Sequence, residues 1–268
     1  MSSPGVGLAR KVQASSRVSL VPIPAIIWIR PDTRPALAFA FSKDSLLLSS
    51  LIFAMKHHWT SRTSALLAAL LLPLTLSAEP KKFSFDSEAW EEGEPPAEVF
   101  VVEGKFSIAA KDGNKGIQIG VGELVEANAL LGDSARGSAS IEAKVFASKQ
   151  GRSFPRFAIG VHGQSGYRLT VFPAKKELQL IKQEEVVKSI PYTWTSDAWL
   201  KMKLEAKKVA EGKWTVTGKV WPATEAEPAE AQFMVEDTTL KGQGKCSIWG
   251  TPFSNTPILF DDVKVEVE

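Results

Sequence analysis

Between Phe157 and Ile190 short apolar runs alternate with turn-forming residues at near-regular spacing: Phe157 to Val161, Tyr167 to Phe172, Glu177 to Ile181 and Val186 to Ile190. In the second run Tyr167, Leu169 and Val171 share one face and Arg168, Thr170 and Phe172 the other. That period of two is what a strand with one buried face imposes, so the stretch predicts a β-meander. Upstream, strands are expected at Phe83 to Phe85, in a hairpin from Val99 to Ile108 that turns at Glu103-Gly104, at Gly116 to Val121 after the Asp112-Gly113-Asn114 turn, and at Gly137 to Phe146. Downstream they are expected at Trp199 to Glu205, Trp214 to Trp221, Gly244 to Gly250 and Ile258 to Val267. Many short strands divided by turn signals predict an all-β fold, a two-sheet antiparallel β-sandwich of jelly-roll type. Pro222 to Ala231 is Pro-flanked, lacks helical spacing and reads as an acidic loop.

Charge changes the picture at the N-terminus. Residues 1–78 hold eight of the 32 Lys and Arg but only Asp32 and Asp44 of the 30 Asp and Glu, so that part is +6 and the remainder −4. Within it, Met55 opens a basic stretch (Lys56, His57, His58, Arg62) followed by the apolar run Ala65 to Leu76 and by Ser77-Ala78. This is the layout of a secretory signal peptide cleaved after Ala78, and the apolar run is shorter than the roughly 20 residues that span a bilayer. Residues 1–54 precede it as a leader or a mis-assigned start, residues 55–78 form the signal peptide, and residues 79–268 form the domain. The mature chain is then exported, to the periplasm or beyond, with no membrane insertion. Its net negative charge argues against nucleic acid, whose binding depends on neutralising phosphates.

The succession Gly166-Tyr-Arg-Leu, Glu177-Leu-Gln-Leu, Trp199-Leu-Lys-Met-Lys-Leu, Gly218-Lys-Val-Trp and Ile258-Leu-Phe-Asp-Asp-Val263 resembles the concanavalin A-like lectin/glucanase superfamily. Within it the likeness is to laminin-G-like domains and to secreted bacterial domains related to keto-disaccharide hydrolases. The resemblance implies a non-catalytic module that binds carbohydrate or the cell envelope. Two alternatives stay open: a glycoside-processing hydrolase, and a protein-interaction domain working through strand addition at sheet edges. The Glu-x-Asp-x-x-Glu strand of the superfamily's glucanases is absent, since Glu225, Glu227 and Glu230 fall in the acidic loop without the central Asp. A Gly-x-Ser-x-Gly elbow is also absent, and His162 is the one histidine after residue 78.

Candidate ligand residues follow from chemistry. Indole faces stack on sugar rings, and Trp221, Trp194 and Trp249 adjoin loop residues where a rim can form. His162, at the mouth of the Val161-to-Gly166 loop, is placed to bond a sugar hydroxyl. Asp261 and Asp262, paired in the last strand, are the candidates for a structural calcium, which takes oxygen ligands. Cys246 has no partner and alternates with Ile248, as a buried small hydrophobe does. Sequencing the N-terminus of the protein from its native source is expected to begin at Glu79; any residue of 1–54 found there refutes the assignment.

Overall fold

The computed structural model describes residues 79–122 and 125–268, so the expected leader and signal peptide lie outside the described residues. Fifteen strands form among the described residues. The first six are β1 (Lys81–Phe85), β2 (Val99–Glu103), β3 (Phe106–Lys111), β4 (Asn114–Ile119), β5 (Ala127–Ala135) and β6 (Ala139–Ala147). The meander follows as β7 (Arg156–Val161), β8 (Tyr167–Phe172), β9 (Glu177–Lys182) and β10 (Glu185–Pro191). The chain closes with β11 (Ala198–Ala210), β12 (Lys213–Pro222), β13 (Phe233–Asp237), β14 (Gly244–Thr251) and β15 (Ile258–Val267).

They make two antiparallel sheets, which is the expected sandwich. The seven-stranded sheet runs β10-β9-β8-β7-β14-β5-β2. The eight-stranded sheet runs β13-β12-β11-β6-β15-β4-β3, with β1 also paired to β15. The long β15 carries β4 along Ile258 to Phe260 and β1 along Val263 to Val267. Alternation decides which residues enter the core. Ile159, Val161, Leu169, Val171, Leu180 and Ile248 of one sheet meet Ile141, Val145, Met202, Leu204, Phe260 and Val265 of the other, all buried. A side chain of this size contributes about 1.5–3 kcal/mol when fully buried.

Two features depart from expectation. The Val99-to-Ile108 hairpin does not form: β2 pairs with β5 in one sheet and β3 with β4 in the other, so the chain passes between sheets at Gly104-Lys105. Gly104 has φ +90°, and a Cβ there would lie 2.4 Å from the Ala127 Cβ, so the crossing presses on the start of β5 where no side chain fits. In addition, β5 and β13 form where the sequence pattern had predicted no strand.

A polar lock joins the sheets at one end. Tyr167 of β8 donates its hydroxyl to Asp237 Oδ2 at 2.7 Å, and Lys182 Nζ donates to the same oxygen at 2.5 Å. Asp237 Oδ1 accepts the backbone N–H groups of Thr239 and Leu240 at 2.6 and 3.1 Å. Burial pulls Asp237 toward its neutral form, but bonds from Lys182, Tyr167 and Thr239 outweigh it and hold the carboxyl well below the usual carboxylate range. Burial, then the Asp237 bond, pushes the Tyr167 phenol up. Asp237→Asn leaves Lys182 without its counter-ion in a largely buried setting, and is expected to cost about 3 kcal/mol in urea unfolding at pH 7. A depressed carboxylate stabilises above its unfolded pKa of about 3.9 and loses that stability as pH falls below it. The gap between wild type and variant is therefore expected to narrow from pH 4 to pH 2; a constant gap refutes the charge assignment.

Candidate functional site

The outer face of the seven-stranded sheet is built from the residues that alternate away from the core. Register places Asn128, Trp249, Ala158, Thr170 and Gln179 in one row across β5, β14, β7, β8 and β9. A second row runs Leu130, Ser247, Gly160, Arg168 and Ile181, and a third holds Thr251, Arg156, Phe172 and Glu177. Outward residues of a sandwich are ordinarily wet, yet Asn128, Thr170, Gln179, Ser247, Trp249 and Thr251 are all buried, and Arg168 is 7% exposed. Small residues lie under large ones. A Cβ on Gly160 would stand 2.5 Å from Ser247 Oγ, 3.2 Å from Trp249 Nε1 and 3.3 Å from Arg168 Cγ.

Charged groups complete the face. The Arg168 guanidinium lies 4.4 Å from the Trp249 ring centroid, and that of Arg156 lies 5.4 Å from the Phe172 centroid. Arg168 Nη1 donates to Glu126 Oε2 at 2.8 Å, while Arg156 Nη2 pairs with Glu126 Oε1 at 3.1 Å. Arg168 Nη2 also donates to the Gln183 carbonyl at 3.2 Å and reaches Glu184 at 3.4 Å. The Trp249 N–H is satisfied by Ser247 Oγ at 2.8 Å. Gln179 donates to Glu177 at 2.7 Å; that bond, and then one from Ser189, lowers the Glu177 pKa. Three buried polar atoms here have no partner: Asn128 Oδ1, Thr251 Oγ1 and Arg156 Nε. A buried polar atom without a partner is unfavourable by about 1–3 kcal/mol, and Ser87 Oγ, His162 Nδ1, Trp194 Nε1 and Trp221 Nε1 are further cases elsewhere among the described residues.

The residues singled out from the sequence are spread over the molecule. Trp249 alone lies on this face, and it is buried under Arg168 rather than offered at a rim. Trp221 is buried on the outer face of the other sheet, across from Lys201, with its Nε1 unpartnered. Trp194 packs edge-on to Phe157 at 6.2 Å between ring centroids, against the core. His162 is not at a loop mouth: it is 1% exposed, has φ +61°, packs edge-on to Trp214 and uses Nε2 to bond the Gly137 carbonyl at 2.9 Å. That bond requires the proton on Nε2, which leaves Nδ1 bare and unpartnered. Cys246 is buried, and burial pushes its thiol up to about 12.

The aspartate pair does not fit calcium. Asp261 is buried and accepts the Asp262 amide at 2.7 Å, with burial pushing its carboxyl up, and Asp262 pairs with the Lys144 ammonium. Asp262 is already paired with an ammonium, and among the described residues no group of three or more His, Cys, Asp or Glu is placed to hold a metal. The sequence reading had passed over Glu126, Asn128, Arg156, Arg168 and Thr251 as site residues. The available signal was Arg168 between Tyr167 and Leu169, a long cation at an outward strand position.

No protein-family model and no curated protein matches the chain. Among solved structures it is similar to the carbohydrate-binding module CBM66 from Bacillus subtilis, at 13% identity over 62% of this chain and 94% of that one, TM-score 0.43. It is similar to basic winged bean lectin with Tn-antigen, at 9% identity over 70% and 98% of the two chains, TM-score 0.44. A third is the CBM2 module of the evolved Dit of Lactobacillus casei BL23 phage J-1, at 9% identity over 70% and 95%, TM-score 0.46. At such scores no residue of this chain takes a role from these likenesses.

Burial lowers the His162 pKa, against the Gly137 bond, which raises it. The unfolded chain then binds the proton more readily than the folded one, so stability is full above about pH 6.5 and falls as pH drops below it. The melting temperature is expected to decline between pH 6.5 and 5, and His162→Asn, which tolerates the positive φ, is expected to flatten that decline. An unchanged slope refutes the assignment.

Proposed function

We propose that this protein is an exported, non-catalytic carbohydrate-binding module that receives glycan on the outer face of its seven-stranded sheet. The observation that carries the reading is the set of charged and aromatic side chains on this outward face, with Arg156 over the Phe172 ring, Arg168 over the Trp249 ring and Glu126 between the two guanidiniums. Sugars present hydroxyls that donate and accept beside apolar C–H groups, which suits guanidinium donors and a carboxylate acceptor beside aromatic carbon. Export is supported by the n-region, apolar run and Ser77-Ala78 of residues 55–78.

A non-catalytic role is supported by the carboxylates. Glycoside hydrolysis needs a carboxylic acid held protonated near neutral pH beside a second carboxylate. On this face Glu126 is locked between two guanidiniums and Glu177 is held below its ordinary range. The carboxyl that burial pushes up, Asp261, lies on the other sheet and bonds the Asp262 amide.

Titrating the native protein with a panel of polysaccharides is expected to give saturable changes in tryptophan fluorescence with no release of reducing ends. Phe172→Ala and Arg156→Ala remove partly exposed groups of this face, and affinity is expected to fall about fivefold for each, with melting temperatures checking that each variant folds. Reducing-end release would make the protein a hydrolase. Silence in both channels, or variants that bind as wild type does, would remove this face from the proposal.

A further inference from the structure

The charged part of the same face supports a narrower statement, which rests on the glycan-binding reading. Glu126 immediately precedes β5, and its carboxylate is gripped from both sides, by Arg168 Nη1 at 2.8 Å and by Arg156 Nη2 at 3.1 Å. Each guanidinium is backed by a ring, Trp249 for Arg168 and Phe172 for Arg156. Ring-stacked arginines that converge on one carboxylate form a receptor for that group, because the planar fork matches carboxylate geometry and stacking fixes its plane. Here the chain supplies the carboxylate itself.

The match is incomplete. Arg156 Nε is buried with no acceptor, although the fork of an arginine pairs best through Nε and one Nη together. Thr251, directly across from Arg156 in the strand register, and Asn128, across from Trp249, are 0% and 5% exposed, and each carries an unpartnered oxygen on the same face. The other carboxylates nearby do not fill the gap, since Glu177 bonds Gln179 and the exposed Glu184 reaches only Arg168.

We infer that this face selects glycans that carry carboxylates, uronic acid residues in particular, and that Glu126 is a tethered stand-in which the sugar carboxylate displaces. A neutral sugar leaves Arg156 Nε unmatched and Glu126 in place. A uronate carboxylate takes the place of Glu126 between the Arg156 and Arg168 guanidiniums. Because the tethered carboxylate competes with the ligand, it lowers apparent affinity by the fraction of time it holds the site.

The test compares an oligogalacturonate with its fully methyl-esterified counterpart, which keeps the sugar backbone and removes the charge, on the native protein at fixed low ionic strength. The acid is expected to bind about tenfold tighter than the ester, and Glu126→Gln to tighten acid binding about threefold. Arg156→Lys keeps the charge but not the fork and is expected to erase the difference between acid and ester; melting temperatures check that each variant folds. Should Arg156→Lys fail to fold, the acid–ester pair and Glu126→Gln still decide. Equal binding of acid and ester would overturn this inference and leave the glycan reading standing, whereas no binding of either, or of any neutral glycan, would overturn both. Polyglutamate that binds as tightly as the oligogalacturonate would overturn uronate selection, and a Glu126→Gln variant with weaker acid binding would overturn the stand-in role.

Discussion

The close approach of Gly160 to Ser247 and Trp249 is the constraint on which the seven-stranded sheet depends. With no Cβ at Gly160, the Trp249 indole lies down on the sheet and the Arg168 stem passes beside it; a single methyl would meet Ser247 Oγ at 2.5 Å. Ala158, beside Trp249 in the register, adds to the same shallow floor. This accounts for an unusual property of β8: Tyr167 to Val171 are all buried, three toward the other sheet and two beneath their own neighbours. A strand buried on both faces ordinarily needs a covering layer of helix or sheet. Here long side chains of the sheet itself provide the cover.

That cover is polar, which fixes its electrostatics. Arg168 could not be sheltered to this degree as an isolated cation, because burying an unpaired charge is strongly unfavourable. Glu126, the Gln183 carbonyl and the Trp249 ring together satisfy it, the last through attraction of the guanidinium to the ring face. The guanidinium is thereby held in one plane. The orphaned polar atoms are a consequence of the same geometry: a rigid, nearly dry surface cannot bring its own groups close enough to satisfy Thr251, Asn128 and Arg156 Nε.

Much of the fold was legible because the strands that pack the core obey period two. The meander, β11, β12, β14 and β15 all show it, and period two placed Tyr167, Leu169 and Val171 on one face and Arg168, Thr170 and Phe172 on the other, although Arg168 and Thr170 are buried as well. What was illegible has local reasons. β5 reads Ala-Asn-Ala-Leu-Leu-Gly-Asp-Ser-Ala, without a β-branched or aromatic residue, so propensity gives no strand; tertiary pairing with β14 and β2 makes it one. Missing β5 meant missing Glu126 and Asn128, since neither stood next to anything until β5 was placed between β14 and β2. The Glu103-Gly104 turn was read as a hairpin because sequence shows that the chain bends and not which sheet receives it. Tryptophans next to loop residues suggested a rim, but Trp194 and Trp221 are held by packing that only the assembled sandwich supplies.

The two outer faces are covered in different ways. On the eight-stranded sheet the outward residues of β6, β11 and β12 include Glu142, Lys144, Lys201, Lys203, Glu205 and Lys219, all half-buried at most, with Lys203 and Lys219 paired to Glu227 of the acidic loop. Alternating charges kept in contact with water solvate that face, and such pairs contribute little to stability. The seven-stranded sheet has the same architecture and the same freedom to be solvated, yet it carries Thr, Gln, Asn, Ser, Trp and two ring-stacked arginines, most of them out of reach of water. Unpartnered buried polar atoms occur on both faces, Trp221 Nε1 on the eight-stranded sheet and Asn128 Oδ1, Thr251 Oγ1 and Arg156 Nε on the seven-stranded one, and each is unfavourable for folding. The seven-stranded sheet therefore hides its outward polar groups by stacking side chain on side chain, where the eight-stranded sheet leaves most of its outward charges in contact with water.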